Sequence, residues 1–438
     1  MKKKSHKKEK KTLSASKLLK KTRSLFLTIS NSKKARKISQ ADSLMSALAM
    51  FGLKSSSLLS FDKQRLSEPV RHNLETLYAV KTPPSDTYMR EVLDEIAPEE
   101  IRKSFSAIFH ETQRAKILEP YRFLGGYLCL VDGTEIFNSE KVFCKNCCIK
   151  KHRDGRTTYH HQILGAAIAH PNMKQVIPLC PEAITKQDGE TKNDCERNAF
   201  DRFLKDLKKE HPRLNLTIVS DALSANAPHI NKLKAFGYDF IINVKSKGNR
   251  ALFEWAKGIT KETKIEVGEN KYIFRYVNQI PLNNTENAPM VNFMECEAEE
   301  KKGKRIIKKY FSWVTNHKIT EDSLYELMLG GRARWKIENE TFNTLKNQGY
   351  NFGHNFGHGK KHLHTVFAYL MMLAFLIDQL QEISCGLFQE ALKSKKTRKT
   401  LWEFLRSFFQ THLIKSWEEL FIAMGSNFRG SVLILDTS

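Results

Sequence analysis

The spacing of apolar residues divides the chain into helical ends and a middle part in which strands alternate with helices. From Ala41, apolar residues recur at helical spacing in SLMSALAMFGLKSSSLLSF, and the helices that follow are punctuated by prolines. Helical spacing returns from residue 361 onward. The pattern therefore predicts all-helical regions at both ends of the chain.

Short apolar runs in the middle of the chain predict a mixed sheet. Three strand candidates come first, then an amphipathic helix, a strand, a helix and a final strand. In chain order these segments are GGYLCLVDGTEIF, YHHQILGAAIAH, KQVIPLCPEAI, NDCERNAFDRFLKDLKKEHP, LNLTIVSD, a helix from near Asn226, and YDFIINVK. Such an order is typical of an α/β layer.

A further stretch, from Lys264 to Thr315, alternates apolar and polar residues without a helical period and predicts a β-rich insertion. Helical spacing resumes at Glu321 and continues to about Gln348. The predicted organisation is a basic arm (1–40), a helical N-terminal domain (41–120), the first part of an α/β core (121–249), the insertion (250–318), the final helix of the core (319–360) and a helical C-terminal region (361–438).

The longest apolar run and the cysteines bear on the compartment. The run Val366–Ile377 covers about twelve residues where a membrane-spanning helix needs ~20, so we expect a buried helix. Eight cysteines in 438 residues are too sparse for a disulfide scaffold, and no secretory signal follows the basic start. We therefore expect a reduced, cytoplasmic compartment and no membrane partner.

The charge points to a polyanionic partner. The formal net charge is +24, and the sequence pI is about 9.6. Residues 1–37 hold fifteen Lys or Arg against the single Glu9, yet the remainder of the chain is still basic. Such an excess makes nucleic acid the first candidate, with an affinity that weakens as salt rises.

Two aspartates follow apolar strands, which is where an open α/β sheet exposes functional groups. Asp132 precedes Gly133 and Thr134, and Asp221 follows LNLTIVS. Neighbouring carboxylates repel each other unless a metal ion or a proton lies between them. For either residue alone, a turn-capping Asp is the commoner explanation.

A third acidic residue lies on a predicted helix. Arg334 and Glu338 are four residues apart and share a face, with Lys346 eight residues further along. The acid could bind a metal ion while the two cations hold DNA phosphates. An ordinary ion pair on a solvated helix gives the same pattern, so the spacing alone leaves both interpretations open.

Together these segments resemble the DDE transposases of bacterial insertion sequences. The resemblance rests on Asp132-Gly-Thr, the strand end at Asp221, RWKIE ending at Glu338, and Lys346 downstream, and it spans residues 40–376. It is to the branch with a Tyr/Arg/Glu/Lys signature and a β-strand insertion. It implies an α/β ribonuclease H-like catalytic core with a β-rich insertion, flanked by all-helical N- and C-terminal regions.

The resemblance also implies an activity and partners. Asp132, Asp221 and Glu338 would ligate two Mg²⁺ (or Mn²⁺) ions for cleavage at the element ends and strand transfer into target DNA. The basic arm and N-terminal helices would bind double-stranded DNA at terminal inverted repeats. The C-terminal helices would join two protomers into a homodimer on DNA, in the bacterial cytoplasm at the nucleoid.

The sequence departs from the family pattern at two positions. The signature tyrosine would stand at residue 331, which is Gly331, and the signature lysine at residue 345, which is Leu345. These departures concern the assignment of Arg334 and Lys346, which the resemblance implies to be phosphate contacts. Glu340 is the alternative to Glu338 as the third acid.

Other residues are candidates for DNA contact. Trp313, at the close of the β insertion, could stack on a displaced base as in related transposases, although a core tryptophan is the commoner arrangement. Lys360 and Lys361 lie in a glycine-rich stretch beside His354, His358, His362 and His364. Because glycines interrupt helical spacing there, the stretch favours a phosphate-contacting loop over a metal site.

A group of cysteines offers a second metal site. Cys144, Cys147 and Cys148 have a spacing found in zinc sites, with Cys195 and His160 or His161 as candidates for the remaining ligand. A single CxxC without a matching second pair is a weak pattern, and loop cysteines without metal are the commoner explanation.

Two other functions fit the same residues. A ribonuclease H-like nuclease without strand transfer would share the carboxylates but lack specificity for element ends. A transposase-derived DNA-binding protein whose catalysis has decayed would account for the departures at Gly331 and Leu345, although all three acids are present.

Overall fold

The computed structural model describes residues 13–30, 37–186 and 192–425, with no side chains described for 192–194. The first twelve residues of the predicted basic arm, its residues 31–36 and the last thirteen residues of the predicted C-terminal region lie outside the described residues.

Six helices form the N-terminal part of the described chain: α1 (Ala15–Phe26), α2 (Gln40–Gly52), α3 (Leu58–Gln64), α4 (Glu68–Tyr78), α5 (Asp86–Asp94) and α6 (Pro98–Arg114). Serines begin several of them; the Ser39 hydroxyl, for example, accepts a hydrogen bond of 3.0 Å from the Asp42 amide at the start of α2. Helix α1 lies within the predicted arm, and its buried Leu18, Leu19 and Phe26 pack it against the other helices.

The middle of the chain forms a mixed sheet that has twelve strands in the described part: β1 (Arg122–Phe123), β2 (Gly126–Ser139), β3 (Cys148–Lys151), β4 (Thr157–Ala169), β5 (Ile177–Pro178), β6 (Glu182–Ile184), β7 (Leu216–Ser220), β8 (Asp239–Asn243), β9 (Lys261–Val267), β10 (Asn270–Pro281), β11 (Met290–Lys302) and β12 (Arg305–Thr315). Its main path runs β3-β4-β2-β7-β8-β12-β11-β10-β9.

The sheet has a parallel centre and antiparallel wings. Strand β7 runs parallel to β2 on one side and to β8 on the other, while β4 is antiparallel to β2. The predicted β-rich insertion corresponds to β9–β12, which continue the same sheet through the pairing of β12 with β8. A mixed α/β sheet was expected from the order of the segments and is confirmed.

The remaining helices are α7 (Lys192–Glu210), α8 (Ala227–Phe236), α9 (Arg250–Ala256), α10 (Leu324–Arg332), a π-helical segment (Ile337–Phe342), α11 (Asn343–Asn347), α12 (Leu363–Ser384), α13 (Gly386–Lys395), α14 (Arg398–Thr411) and α15 (Trp417–Gly425). Helix α12 contains the long apolar run. It is long and apolar enough to cross a membrane, but its most apolar window is 89% buried inside the protein, as a core helix is.

Helix α12 joins the two helical regions into one body. It packs against α2, α5 and α6 from the N-terminal region and against α13 from the C-terminal region. A buried ion pair of 2.6 Å between Lys54 Nζ and Asp378 Oδ2 crosses this contact, and the Tyr350 hydroxyl donates to the same carboxylate oxygen at 2.6 Å. The helices before and after the sheet therefore share a hydrophobic core.

Candidate active site

The two aspartates lie at matching positions on neighbouring parallel strands. The ladder between β2 and β7 ends with Leu130 opposite Val219, and Asp132 and Asp221 each stand two residues beyond that pair. Asp221 directly follows the last residue of its strand, as predicted, and its carboxylate accepts a 3.0 Å hydrogen bond from the Leu223 amide. Asp132 does not: β2 continues to Ser139, because β4 stays paired with it over that length.

Glu338 reaches this point from the π-helical segment. Across the β2–β4 ladder, Gly165 is the partner of Asp132. A β-carbon at Gly165 would lie 2.6 Å from the Phe342 ring, so the phenyl group occupies the space that a side chain would need. The glycine opposite Asp132 therefore lets the segment that carries Glu338 close onto the sheet.

A shared guanidinium joins two of the acids. Arg334 Nη1 lies 2.8 Å from Asp132 Oδ2 and 2.8 Å from Glu338 Oε1. Because both bonds end on the same nitrogen, Asp132 Oδ2 and Glu338 Oε1 are at most twice 2.8 Å apart. Glu340, the alternative third acid, has no such bond to Arg334 among the described contacts.

Partial burial and neighbouring negative charge act together on the half-buried Asp132. Burial raises its pKa most, and the carboxylates of Asp221, Glu338 and Glu196 raise it further against the lowering effect of Arg334, to about 7. A carboxyl group with a pKa near 7 is protonated in about half of the molecules at neutral pH, and a nearby cation would favour its charged form. Such perturbed groups cluster at functional sites.

Glu196 is a site residue that the sequence did not reveal. It lies on α7, and a β-carbon at Gly133 would be 3.1 Å from its carboxyl group. Helical periodicity places Glu196 only on the charged face of an amphipathic helix. Its approach to the residue after Asp132 depends on how α7 crosses the sheet, which local spacing does not encode.

Lys346 lies beside the same strand, where its Nζ donates a 3.0 Å hydrogen bond to Thr134 Oγ1. The π-helical turn between Glu338 and Lys346 holds one residue more than an α-helical turn. The lysine eight residues after Glu338 thereby takes the rotational position that the seventh would have in an α-helix. The helix geometry accounts for the departure at Leu345, which is buried.

The departure at Gly331 has a steric cause. A β-carbon at Gly331 would overlap the Trp313 indole, meeting Nε1 and Cε2 well inside van der Waals distance. Trp313 is only 1% exposed and stacks on Phe311 with ring centroids 5.5 Å apart. Trp313 thus fills the space next to residue 331 as a core residue, and its ring faces no solvent from which a DNA base could approach.

The indole that is exposed near the acids belongs to Trp335. Its side chain is 53% exposed, and the Arg334 guanidinium carbon lies 5.1 Å from its ring centroid. Trp335 directly follows Arg334, which binds Asp132 and Glu338. Nothing in the local spacing of the sequence distinguishes Trp335 as exposed, because its exposure depends on how its helical segment packs against the sheet.

The loop with Lys360 and Lys361 uses its backbone amides internally. Both lysines are exposed, but the amides of residues 360–363 all donate to the Asp94 carboxylate at 2.8–3.0 Å. Lys361 Nζ lies 2.7 Å from Glu95 Oε2. The amides of residues 360–363 are therefore engaged within the protein, and a phosphate would be contacted by the side chain of Lys360, or by that of Lys361 in competition with Glu95.

The structure separates the predicted zinc ligands. Cys144 and Cys147 lie together with His161 and with His358, which comes from the glycine-rich stretch. Cys148 and Cys195 lie outside this group: both are buried, and the Cys148 thiol points toward the Ile184 carbonyl at 3.8 Å. Cys148 begins β3, and its thiol faces β6 instead of the group that contains Cys147.

Comparison with known proteins identifies the family of the chain. A family model described as the transposase DDE domain matches residues 127–376, which is more than half of the chain and contains Asp132, Asp221 and Glu338. Among curated proteins, no match is found. The chain belongs to the transposase DDE domain family.

Proposed function

We propose that this transposase cuts DNA at the ends of a bacterial insertion sequence and joins the freed 3′ ends to target DNA. The observation that carries the proposal is the shared contact of Arg334 with Asp132 and Glu338, beside a strand whose partner presents Asp221 at the matching position. Asp132 and Asp221, on neighbouring strands, and Glu338, on a helical segment, would thus come together at one end of the central strands although they are far apart in sequence.

The donor chemistry fits Mg²⁺ or Mn²⁺. The acids offer only oxygen ligands, which these hard cations prefer. Burial and, after it, repulsion from the neighbouring carboxylates raise the pKa of Asp132 to about 7, and a divalent cation would relieve that repulsion. Asp132, Asp221 and Glu338 would hold two ions, which supply activation of a water or 3′-hydroxyl and stabilisation of the leaving oxygen.

The protein's own side chains would position these groups and the DNA. Arg334 orients the Asp132 and Glu338 carboxylates, and Lys346 places a positive charge over Thr134, two residues past Asp132. A scissile phosphate lying between them would meet cations on both sides. Positioning and charge neutralisation are the main protein contributions to such reactions.

DNA binding would extend beyond the acids. The net charge of +24 supplies counterion release along a phosphate backbone. We propose that the lysine side chains of residues 360 and 361 contact phosphates, and that Trp335 rather than Trp313 offers the stacking surface. Terminal inverted repeats and a homodimer on DNA, in the bacterial cytoplasm, complete the proposal.

Cleavage of the flanking DNA tests it. The full chain is incubated with Mg²⁺ or Mn²⁺ and a duplex that carries the DNA on both sides of its gene, then with a pre-cut end and a target plasmid. We expect cuts at the element ends and joined products, both lost in Asp132→Asn and Glu338→Gln but retained in the matched Glu340→Gln. Hydrolysis without joining would make the protein a nuclease, and binding without any cut would make it a decayed transposase.

A further inference from the structure

We propose that Cys144, Cys147, His161 and His358 bind one structural Zn²⁺ ion. The four ligand atoms all lie within 4.8 Å of one another. They come from three separate parts of the chain: the cysteine turn (residues 144–148), strand β4, and the glycine-rich loop (residues 349–362) that joins α11 to α12. The site is distinct from the three acids and needs none of them.

The distances match a tetrahedral zinc site. Bonds of about 2.3 Å to sulfur and 2.0–2.1 Å to nitrogen place two sulfurs about 3.8 Å apart, sulfur and nitrogen about 3.6 Å and two nitrogens about 3.4 Å. The Cys144 and Cys147 sulfurs are 3.8 Å apart, and each lies 3.4 Å from His161 Nε2. His358 Nδ1 lies 3.1 Å from His161 Nε2 and 3.8 Å from Cys147 Sγ.

Hydrogen bonds alone cannot satisfy this arrangement. His161 Nε2 lies 3.1–3.4 Å from three other atoms that could bind a metal: Cys144 Sγ, Cys147 Sγ and His358 Nδ1. A ring nitrogen carries at most one hydrogen, so it cannot form a full hydrogen bond with each of the three. A disulfide is excluded as well, because 3.8 Å greatly exceeds the S–S bond of about 2.05 Å. One cation at the centre of the four lone pairs satisfies all of them.

The surroundings fix the ligands in place. His358 stands between Gly357 and Gly359, whose φ angles of +136° and +67° turn the loop back toward the sheet. The His161 ring stacks on His364 with centroids 3.6 Å apart. Asn146 Nδ2 donates a 2.8 Å hydrogen bond to the Lys361 carbonyl, which ties the cysteine turn to the glycine-rich loop a second time.

Zinc is the ion that this ligand set favours. Two thiolates and two imidazoles are the donors of structural zinc sites, and four protein ligands leave no open position for a reacting water. The ion would cross-link β4 to the glycine-rich loop, which follows the helix that carries Glu338 and Lys346. His161 pairs with Phe137 of β2, the strand that carries Asp132. The zinc would thus clamp the two sides of the active site.

Metal content tests the proposal without reference to DNA cleavage. Full-length protein purified without chelators is measured by mass spectrometry for zinc, alongside Cys147→Ser, His358→Gln and the matched control Cys148→Ser. We expect about one zinc per chain in the wild type and the control, and at least about a tenfold lower content in the two ligand variants. A folded wild type that holds no zinc after incubation with the ion would overturn the proposal, as would equal loss from Cys148→Ser.

Cobalt substitution covers the case in which the ligand variants fail to fold. Co²⁺ replaces Zn²⁺ in the wild-type chain, and its visible spectrum reports coordination. We expect the intense absorption of tetrahedral Co²⁺ with a sulfur-to-metal charge-transfer band, both displaced by one equivalent of Zn²⁺. The weak spectrum of octahedral, oxygen-bound Co²⁺ would contradict the assignment.

Discussion

Arg334 holds Asp132 through a bond of 2.8 Å between Nη1 and Oδ2, and the same nitrogen binds Glu338 at 2.8 Å. A charged hydrogen bond of this length is strong and orients both carboxylates. It also places a positive charge among groups that we expect to bind metal ions. We therefore expect Arg334 both to orient the carboxylates and to compete with bound ions for them.

Replacing Arg334 should separate these two roles. In Arg334→Gln we expect DNA cleavage to fall by about 10²-fold because the carboxylates lose their orientation. Mn²⁺ binding, measured by calorimetry without DNA, should stay equal or become tighter because the competing guanidinium is gone. Mn²⁺ affinity that falls together with cleavage would show that Arg334 does not compete with the ion.

Metal binding should depend on pH through Asp132. Its pKa is raised to about 7, so the carboxyl group is protonated below that pH and must lose its proton to bind an ion. We expect Mn²⁺ affinity to rise by up to about tenfold per pH unit toward pH 7 and to level off above it. In Asp132→Asn the affinity should be lower and its pH dependence flatter. A wild-type affinity that is flat between pH 5.5 and 8 would contradict the prediction.

The pair Gly331 and Trp313 should behave as a steric unit. In Gly331→Ala, the new methyl group overlaps the indole, so we expect a loss of about 1–3 kcal/mol in the free energy of unfolding. Gly258→Ala is the matched control, because a β-carbon there meets nothing within 4 Å. Urea denaturation measures both.

A double variant checks the cause of this loss. Gly331→Tyr combined with Trp313→Ala should be less destabilised than the sum of the two single changes, because each relieves the crowding of the other. Strict additivity of the two would mean that the family tyrosine and Trp313 do not occupy a common space.

The exposed Trp335 should matter for DNA and not for stability. With its indole 53% exposed beside Arg334, we expect Trp335→Ala to weaken binding to a duplex with an unpaired base at the cut by about 1–3 kcal/mol. Trp255→Ala, which removes another part-exposed indole (38%) on α9, is the control. Equal binding by both variants in fluorescence anisotropy would remove Trp335 from the DNA interface.

The sequence was sufficient for features that depend on local pattern. Alternation and helical spacing predicted the strands around Asp132 and Asp221, the helix α7 and the four strands of the insertion, because each period follows from the faces that the element buries. The neighbouring positions of Asp132 and Asp221 follow from those strands. The family was likewise predicted from its motifs, and that prediction is confirmed.

Contacts between distant segments were beyond such patterns. The approach of Glu196 to Gly133, the burial of Trp313 by Gly331 and the meeting of His358 with Cys147 each join residues between 18 and 211 positions apart. In the sequence, the extra residue of the π-helical turn shows only as Lys346 standing one position later than the lysine of the family pattern. Periodicity reports which face of an element is buried, but not which partner covers it.

The position of bound metal decides whether the three acids form one metal site. Crystals of the wild-type chain in Mn²⁺, with diffraction measured at the manganese absorption edge, would locate the ions by their anomalous signal. We expect manganese bound by carboxylate oxygens of Asp132, Asp221 and Glu338, and no such signal in crystals of Asp132→Asn. Manganese bound elsewhere, with these three carboxylates left without an ion at saturating concentration, would contradict it.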